Sequence, residues 1–357
     1  MNVSVVTVNY KTPLLTEALV RQLSKISLIS RIIVVDNSAD LSPELFEGLP
    51  KPILVRSREN IGYGRAVNHG IAHVETEWVL VINPDVRLDE ASLARLLEAA
   101  ASYGAPLAGP RFYWDDSHTF RLPPATGMSL WHSIGARTAQ SYMPDAHLFS
   151  FYWQIRHDRF WQASEPFYEP FLSGACLLIN MDRIFPSGGR LFDERFFMYY
   201  EDTDLCLQTL LGGQTPICVP GAEVVHYYNQ APAAESHKQA MMQASESQFF
   251  QKYYEALPDL HLGRQEPLVD CEDLGTIEAP PALAYSGNPA GGRRRGGLFF
   301  EMAFNPFFCP FAQAVVENDG FAVPAHIWEQ LPSSATYFAR FRKFQGPAGK
   351  IWKWIKR

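Results

Sequence analysis

Four apolar runs, separated by helix-like segments, constrain this chain more than any other feature. The runs are VSVVTVNY (3–10), RIIVVD (31–36), PILVRS (52–57) and WVLVINPD (78–85). They are short, rich in Val and Ile, and do not alternate with polar residues, the pattern of strands buried on both faces. Between and after them lie PLLTEALVRQLSKI (13–26), GYGRAVNHGIAHV (62–74) and DEASLARLLEAAASYG (89–104), with apolar residues at helical spacing. The first opens on a proline, which a first helical turn accepts, and the last begins with acids and ends at Gly104. Strands alternating with helices imply an α/β fold with a mostly parallel central sheet covered on both faces. Ligands of such sheets sit beyond the carboxyl ends of the strands. That rule gathers Asn9–Tyr10, Asp36–Asn37 and Asn83–Asp85 around one crevice.

The rest of the chain is less regular. Residues 111–171 are rich in Trp, Tyr, Phe, His and Pro, and FLSGACLLIN (171–180) restores a buried strand. Then FFMYYEDTDLC (196–206) sets Glu201, Asp202 and Asp204 directly after five bulky residues. Carboxylates that follow a core segment are costly unless a cation, a proton or a hydrogen-bond donor meets them. EDTDLCLQTLLGG (201–213) reads as a helix ended by glycines, TPICVPGAEVVHYYN (215–229) as strands around a turn, and 236–257 as a final amphipathic helix. We expect a catalytic domain over 1–257, a Pro/Gly-rich linker over 258–297, and a small β-rich C-terminal module over 298–357.

Composition narrows the function classes. With 357 residues, 47% hydrophobic and 19% charged, the chain can bury a sizeable core. A net charge of −7 argues against nucleic acid as the main partner. The five cysteines form no C-x-x-C pair and read as reduced thiols of a cytoplasmic protein. The opening strand pattern has no charged n-region or cleavage site of a signal peptide, and no apolar run reaches the ~20 residues of a membrane span. From Gln330 onward there are seven Lys or Arg and no acid, so the remainder carries −7 minus 7, or −14. The end, KIWKWIKR, interleaves tryptophan and lysine, which suits peripheral contact with an anionic membrane at its inner face. A basic tail folded back on an acidic body is the plainer reading.

Taken in order, VVTVNYKT, VVDNSAD, ENIGYGRAVNHGI, VLVINPDV, FLSGACLLIN, GGRLFDERFFMYYEDTDLC and VVHYYN resemble the motifs of inverting family 2 glycosyltransferases, rhamnosyltransferase-like branch. The resemblance covers about residues 1–255. It implies a Rossmann-like fold of the glycosyltransferase A type, a nucleotide-sugar donor (dTDP- or UDP-linked) and a divalent metal, Mn²⁺ or Mg²⁺. It also implies a saccharide acceptor, which can be lipid-linked, in cell-surface glycan synthesis.

The residues agree chemically. A departing diphosphate needs a hard cation held by carboxylates. Asp85 is the expected metal ligand, and Asn83 stands where the family often has a first aspartate. His226 resembles the family histidine that completes the metal site, and its imidazole suits Mn²⁺ better than Mg²⁺. Asp36 matches the aspartate that reads the base, with Asn9 and Tyr10 flanking the base. Arg65 and Asn68 would lie near the diphosphate. ENIGYGRAVNHGI fails as a dinucleotide fingerprint, because Val67 stands at the third glycine position. An acceptor hydroxyl needs a base, and the family places it in the pair Glu201-Asp202. We assign Asp202 as base and Glu201 to hydrogen bonding; the reverse assignment stays open. Gly174 would line the sugar pocket closely. Trp114, Trp131, Trp153 and Trp161 are expected to shape acceptor binding, with Arg121 near a phosphate. The plainer readings are an Asx-turn for Asp36, a helix cap for Asp85, and first-turn acids for Glu201, Asp202 and Asp204. A non-catalytic carbohydrate- or nucleotide-binding scaffold of the same fold is the alternative function. A nucleotidyltransferase would need a glycine-rich basic loop after the first strand, and VNYKTP has none.

Overall fold

The structure, a computed structural model, describes residues 2–127, 129–139, 143–184, 190–228, 230, 235–255, 269–285, 297–317, 320–344, 346 and 348–357. Its strands are β1 (Val3–Asn9), β2 (Ile29–Asp36), β3 (Pro52–Arg56), β4 (Trp78–Ile82), β5 (Val86–Arg87), β6 (Leu107–Tyr113), β7 (Phe120–Arg121), β8 (Phe167–Tyr168), β9 (Cys176–Asn180), β10 (Ile217–His226), β11 (Cys271–Ile277), β12 (Ala282–Ala284), β13 (Leu298–Ala303), β14 (Ala312–Val316), β15 (Gly320–Ala322), β16 (Thr336–Lys343) and β17 (Ala348–Lys356). Its α-helices are α1 (Pro13–Leu23), α2 (Tyr63–Ile71), α3 (Glu90–Tyr103), α4 (Leu130–Ala139), α5 (Met143–Gln162), α6 (Glu201–Leu211), α7 (Glu235–Tyr254) and α8 (Ala325–Gln330). None of the described helices is long and apolar enough to cross a membrane. The chain forms two compact units, Met1–Arg111 with Ala163–Pro258, and Phe112–Gln162 with Asp259–Arg357.

The first unit holds the alternating elements. All seven residues of β1 are buried, as its unbroken apolar run requires. β1 pairs in parallel with β2 on one side and β4 on the other, and β3 joins β2 in parallel. α3 is capped by Asp89, whose side chain accepts from Ser92 N, and stops at Gly104 in the left-handed region. The parallel sheet is limited to β3-β2-β1-β4. Beyond β4 lies β9, antiparallel to both β4 and β6. The sheet is therefore mixed. The reason is topological: β9 follows a long excursion of the chain and slots between two strands that are already joined by α3.

The second unit is β-rich, as expected for the C-terminal residues, but its boundaries differ. Its sheet runs β11-β17-β16-β13-β14-β7. Among the described residues of this sheet, only β11 and β17 pair in parallel. Residues 271–277 and 282–284 are strands, so the expected linker over 258–297 is not a linker there; 286–296, including the GRRRG run, lie outside the described residues. The aromatic segment belongs with this unit, since β7 pairs with β14. Trp114, Trp153 and Trp161 are buried and serve its core, and Arg121 lies over the ring of Trp161. Trp131 alone of the four is exposed.

The tail reading also changes. KIWKWIKR lies in β17, with Trp352 and Trp354 buried, so neither tryptophan reaches an interface. Lys353 pairs with Asp273, Lys350 with Glu272 and Arg357 with Glu278. Lys356 is buried and donates to the carbonyls of Trp328 and Leu331. Arg340 and Arg342 are inside too, both bonded to the buried Glu301, and Arg342 also to Asp158. The basic tail is folded on its own unit because its charges find partners there.

Candidate active site

The polar residues that end β1 and β2 meet each other. The parallel register sets Asn9 beside Asp36, and both are fully buried. Asn9 Nδ2 donates to Asp36 Oδ1 at 3.1 Å, to Ser38 Oγ at 3.1 Å and to Asp40 Oδ1 at 2.6 Å. Asp36 also accepts from the backbone N–H groups of Ser38 and Leu41. This is the Asx-turn reading made concrete: the carboxylate organises the turn 37–41. Asp36 has no accessible surface, and its carboxylate is taken up by bonds within the turn. Tyr10 is half-buried, with Lys11 over its ring. Asn37 ties the turn to the start of α2, accepting from Ile61 N and donating to Asn60 Oδ1 and the Gly62 carbonyl.

α2 carries two of the expected residues. Asn68 clamps one peptide from both sides: Nδ2 donates to the Phe192 carbonyl and Oδ1 accepts from Phe192 N. Arg65 donates to the Glu194 carbonyl from a half-exposed side chain. Both therefore hold the segment 192–194. Gly62 has φ +86°, and a Cβ there would lie 2.5 Å from the Phe197 carbonyl oxygen, so only glycine lets α2 dock.

The end of β4 meets the approach to β9. The antiparallel register sets Ile82 opposite Cys176, and Asn83 N donates to the Ala175 carbonyl. Asn83 and Gly174 are thus brought together, and Tyr63 joins them. Its hydroxyl lies 2.9 Å from Asn83 Oδ1 and 3.3 Å from the Gly174 carbonyl. Burial, then the charges of Glu201, Asp202 and Asp85, holds the Tyr63 phenol well above its ordinary value, so it remains a donor. Sequence reading passed over Tyr63. Its signal was a lone tyrosine between two glycines at a helix start.

Asp85 lies beside His226. The short antiparallel pairing of β5 and β10 sets Val86 opposite His226, and Tyr227 N donates to the Asp85 carbonyl. Asp85 Oδ2 is 3.4 Å from His226 Nε2. Burial pushes the Asp85 carboxyl up, but the charge and hydrogen bond of His226, its own backbone N–H and Arg87 outweigh that and hold it below its ordinary value. Among the described residues no group of three or more His, Cys, Asp or Glu gathers to hold a metal. An ionised carboxylate and an imidazole nitrogen this close do fit a divalent ion whose other positions are filled by phosphate oxygens and water.

The acidic pair opens α6 after an unusual turn. Tyr199 and Tyr200 both have positive φ, 70° and 71°, a strained arrangement for two bulky residues. Tyr200 is held by packing on Phe249, and Ser245 Oγ donates to the Met198 carbonyl. The turn delivers Asp202 to Gly174: Oδ2 accepts from Gly174 N at 2.8 Å, and Oδ1 from Thr203 N at 2.7 Å. A Cβ at 174 would lie 3.1 Å from Asp202 Cβ, so glycine permits the approach. Burial raises the Asp202 carboxyl, and the N–H groups of Gly174 and Thr203 oppose it. Glu201 is buried, and its Oε2 has no hydrogen-bond partner. Burial, aided by the charge of Asp202, pushes its carboxyl up to about 8. Asp204 is different: fully buried, it accepts from Lys252 Nζ and Tyr253 Oη and fastens α6 to α7.

Comparison with known proteins follows the same elements. The model of the family described as glycosyl transferase family 2 matches residues 4–175. The chain is 33% identical over 214 residues to N-acetylglucosaminyl-diphospho-decaprenol L-rhamnosyltransferase of Mycobacterium tuberculosis (strain CDC 1551 / Oshkosh), covering 55% of this chain and 66% of that one. It is 27% identical over 216 residues to the low-salt glycan biosynthesis hexosyltransferase Agl10 of Haloferax volcanii, covering 57% and 60%. The chain thus spans just under two thirds of the length of these relatives. Among solved structures, the mannosyltransferase PcManGT from Pyrobaculum calidifontis, in complex with GDP-Man and Mn²⁺, aligns with TM-score 0.43 and 14% identity over 64% of this chain and 57% of that one. The family match over residues 4–175, just under half of the chain, and the similarity to a rhamnosyltransferase agree with the strand order and strand-end residues described above.

Proposed function

We propose that the protein is an inverting glycosyltransferase that moves a sugar from a nucleoside-diphosphate sugar, dTDP-rhamnose or a UDP-hexose, to a saccharide acceptor. The acceptor is carried on a lipid, and the enzyme works in the cytoplasm at the inner face of the plasma membrane, in cell-surface glycan synthesis. The rhamnosyltransferase relative, whose name specifies a diphospho-decaprenol acceptor, supports the lipid carrier.

The observation that carries the reading is the difference between the two carboxyls that open α6. Burial raises the Asp202 carboxyl as well, but Asp202 accepts two backbone N–H groups, which oppose that rise and favour its ionised form. Glu201, with its carboxyl pushed up to about 8 by burial, favours the protonated form at neutral pH, and its buried Oε2 has no protein partner. One carboxyl accepts a proton and the other donates a hydrogen bond. Asp202 takes the proton of the acceptor hydroxyl as its oxygen attacks the anomeric carbon. The bond from that carbon to the diphosphate oxygen breaks on the opposite face, and the configuration inverts. Glu201 hydrogen-bonds the donor sugar or the acceptor. Asp85 and His226 would hold Mn²⁺ or Mg²⁺, which supplies Lewis-acid stabilisation of the departing diphosphate. Asn83, fixed by Tyr63, sits beside that corner. Tyr10 stacks on the base, and Asp36 with Asn9 shapes the turn around it.

Calorimetric titration with a panel of nucleotide sugars, each with and without Mn²⁺ or Mg²⁺, tests this. Metal-dependent binding of one donor is the expected result. Binding of a donor without transfer to any saccharide would favour a non-catalytic scaffold. The anomeric configuration of the product, read by NMR, tests inversion.

A further inference from the structure

We propose that Lys252 of α7 is a positioning residue for the acidic pair, because it closes a bridge across the strained turn that opens α6. The inference deepens the proposed reaction and rests on that reading of Glu201 and Asp202. Tyr199 and Tyr200, at φ 70° and 71°, carry large side chains through the left-handed region. Backbone of this kind persists only where its surroundings over-determine it. Relaxing the two φ angles to negative values would redirect the start of α6 and draw Asp202 Oδ2 away from Gly174 N, now 2.8 Å off. α2 holds the chain before the turn, where Asn68 clamps Phe192 and Tyr63 N donates to the Phe197 carbonyl at 2.8 Å.

α7 spans the turn itself. Ser245 Oγ donates to the Met198 carbonyl at 2.7 Å. The Phe249 ring lies 6.4 Å from that of Phe196 and 5.3 Å from that of Tyr200. Lys252 completes the row, since i, i+4 and i+7 share one helix face. Its Nζ is 2.9 Å from Asp193 Oδ2 and 2.6 Å from Asp204 Oδ1. Asp193 precedes the two tyrosines and Asp204 follows them. One ammonium therefore ties the two arms of the turn together.

The bridge is shielded from water. The Lys252 side chain is 13% exposed, that of Asp193 15% and that of Asp204 1%. Exposed ion pairs hold little, but separating a shielded one leaves each charge desolvated without its partner. Both carboxylates are themselves anchored. Asp204 accepts from Tyr253 Oη at 2.7 Å, and Asp193 from Arg195 Nη2 at 2.6 Å. Burial pushes the Asp193 carboxyl up, but the hydrogen bonds of Arg195 and Lys252 outweigh that and hold it well below the usual carboxylate range. Lys252 thus acts on Glu201 and Asp202 through the backbone between two fixed aspartates.

The test uses the full chain and a readout that needs no substrate. Amide hydrogen exchange is followed at Gly174, whose N–H is donated to Asp202, and in β1 as a reporter of global opening. In Lys252→Met, exchange at Gly174 should speed up about tenfold or more relative to β1. Lys252→Arg, which keeps a cation between the two carboxylates, should restore most of the protection. In transfer assays of Lys252→Met, kcat should fall about tenfold or more while donor affinity by calorimetry is unchanged. The double variant Lys252→Met/Asp204→Asn separates positioning from mere charge balance. It should recover stability in urea, yet exchange at Gly174 should stay fast. Wild-type protection of Gly174 in Lys252→Met overturns the proposal, as does its full return in the double variant. Should Lys252→Met not fold, Asp193→Ala decides, because it cuts one end of the bridge and leaves Asp204 paired. Fast exchange at Gly174 then supports the bridge, and wild-type protection rejects it. A protein that transfers no sugar from any donor would sink the catalytic reading, while exchange at Gly174 would still decide the bridge.

Discussion

The hydroxyl of Tyr63 lies 2.9 Å from Asn83 Oδ1 and 3.3 Å from the Gly174 carbonyl, so one phenol links the end of β4 to the approach to β9. Asn83 precedes the Asp85 corner by two residues, and Gly174 donates to Asp202. Tyr63 is therefore a positioning residue for both halves of the site. Tyr63→Phe removes the hydroxyl and leaves the packing. It should cost about 1 kcal/mol of stability. Steady-state kinetics should show kcat falling more than KM rises.

Asp202→Asn keeps the shape of the side chain and removes the base. Donor binding by calorimetry should persist while transfer falls by about 10² or more. Glu201→Gln keeps a hydrogen-bond donor and should retain most of the activity. Full transfer by Asp202→Asn would move the base to Glu201 or elsewhere.

Glu201 links stability to pH. Burial raises its carboxyl in the folded protein to about 8, from an ordinary value of 4.5. The folded state therefore binds the proton more tightly than the unfolded state. Its contribution is fully present below the unfolded value and is lost as pH rises through about 8. Glu201→Gln cannot ionise. Melting temperatures from pH 5 to 9 should show the wild type losing stability, relative to the variant, on the order of a few kcal/mol across that range.

Removing either metal-corner residue should act on donor binding rather than on the fold. In Asp85→Asn and His226→Ala, the gain in donor affinity from added Mn²⁺ should shrink about tenfold or more. Calorimetry with Mn²⁺ and with a chelator measures it. An unchanged metal effect in both variants would place the ion elsewhere.

In the second unit, Glu301 accepts from Arg340 Nε at 2.7 Å and Arg342 Nε at 2.6 Å, with all three buried. Glu301→Leu leaves two cations inside without their carboxylate, though Arg342 keeps Asp158. The expected loss is about 3–5 kcal/mol in urea unfolding. A neutral effect would mean that the network relaxes to water.

Much of the first unit was legible. The apolar runs that became β1 to β4 are too continuous to be one-faced strands, and their polar ends mark where a ligand crevice opens. Asp85 follows such an end and Asp202 lies at a helix start, while the resemblance to family 2 glycosyltransferases is what drew His226 and Gly174 in beside them. What local pattern does not contain is which backbone comes alongside. Asn68 and Arg65 look like ligand-facing residues of a glycine-bearing helix start, yet they hold 192–194, more than a hundred residues away. Asp36 looks free to meet a base until Asn9 and two backbone N–H groups surround it. The tail looks like a membrane anchor until Trp352 and Trp354 close a core. Periodicity, breakers and strand-end chemistry are short-range properties, and the sequence by itself determined the elements of the first unit and the residue types at their ends. Hydrogen-bond partners and burial depend on long-range pairing, so only the tertiary structure decided which of those residues are tied up inside the protein.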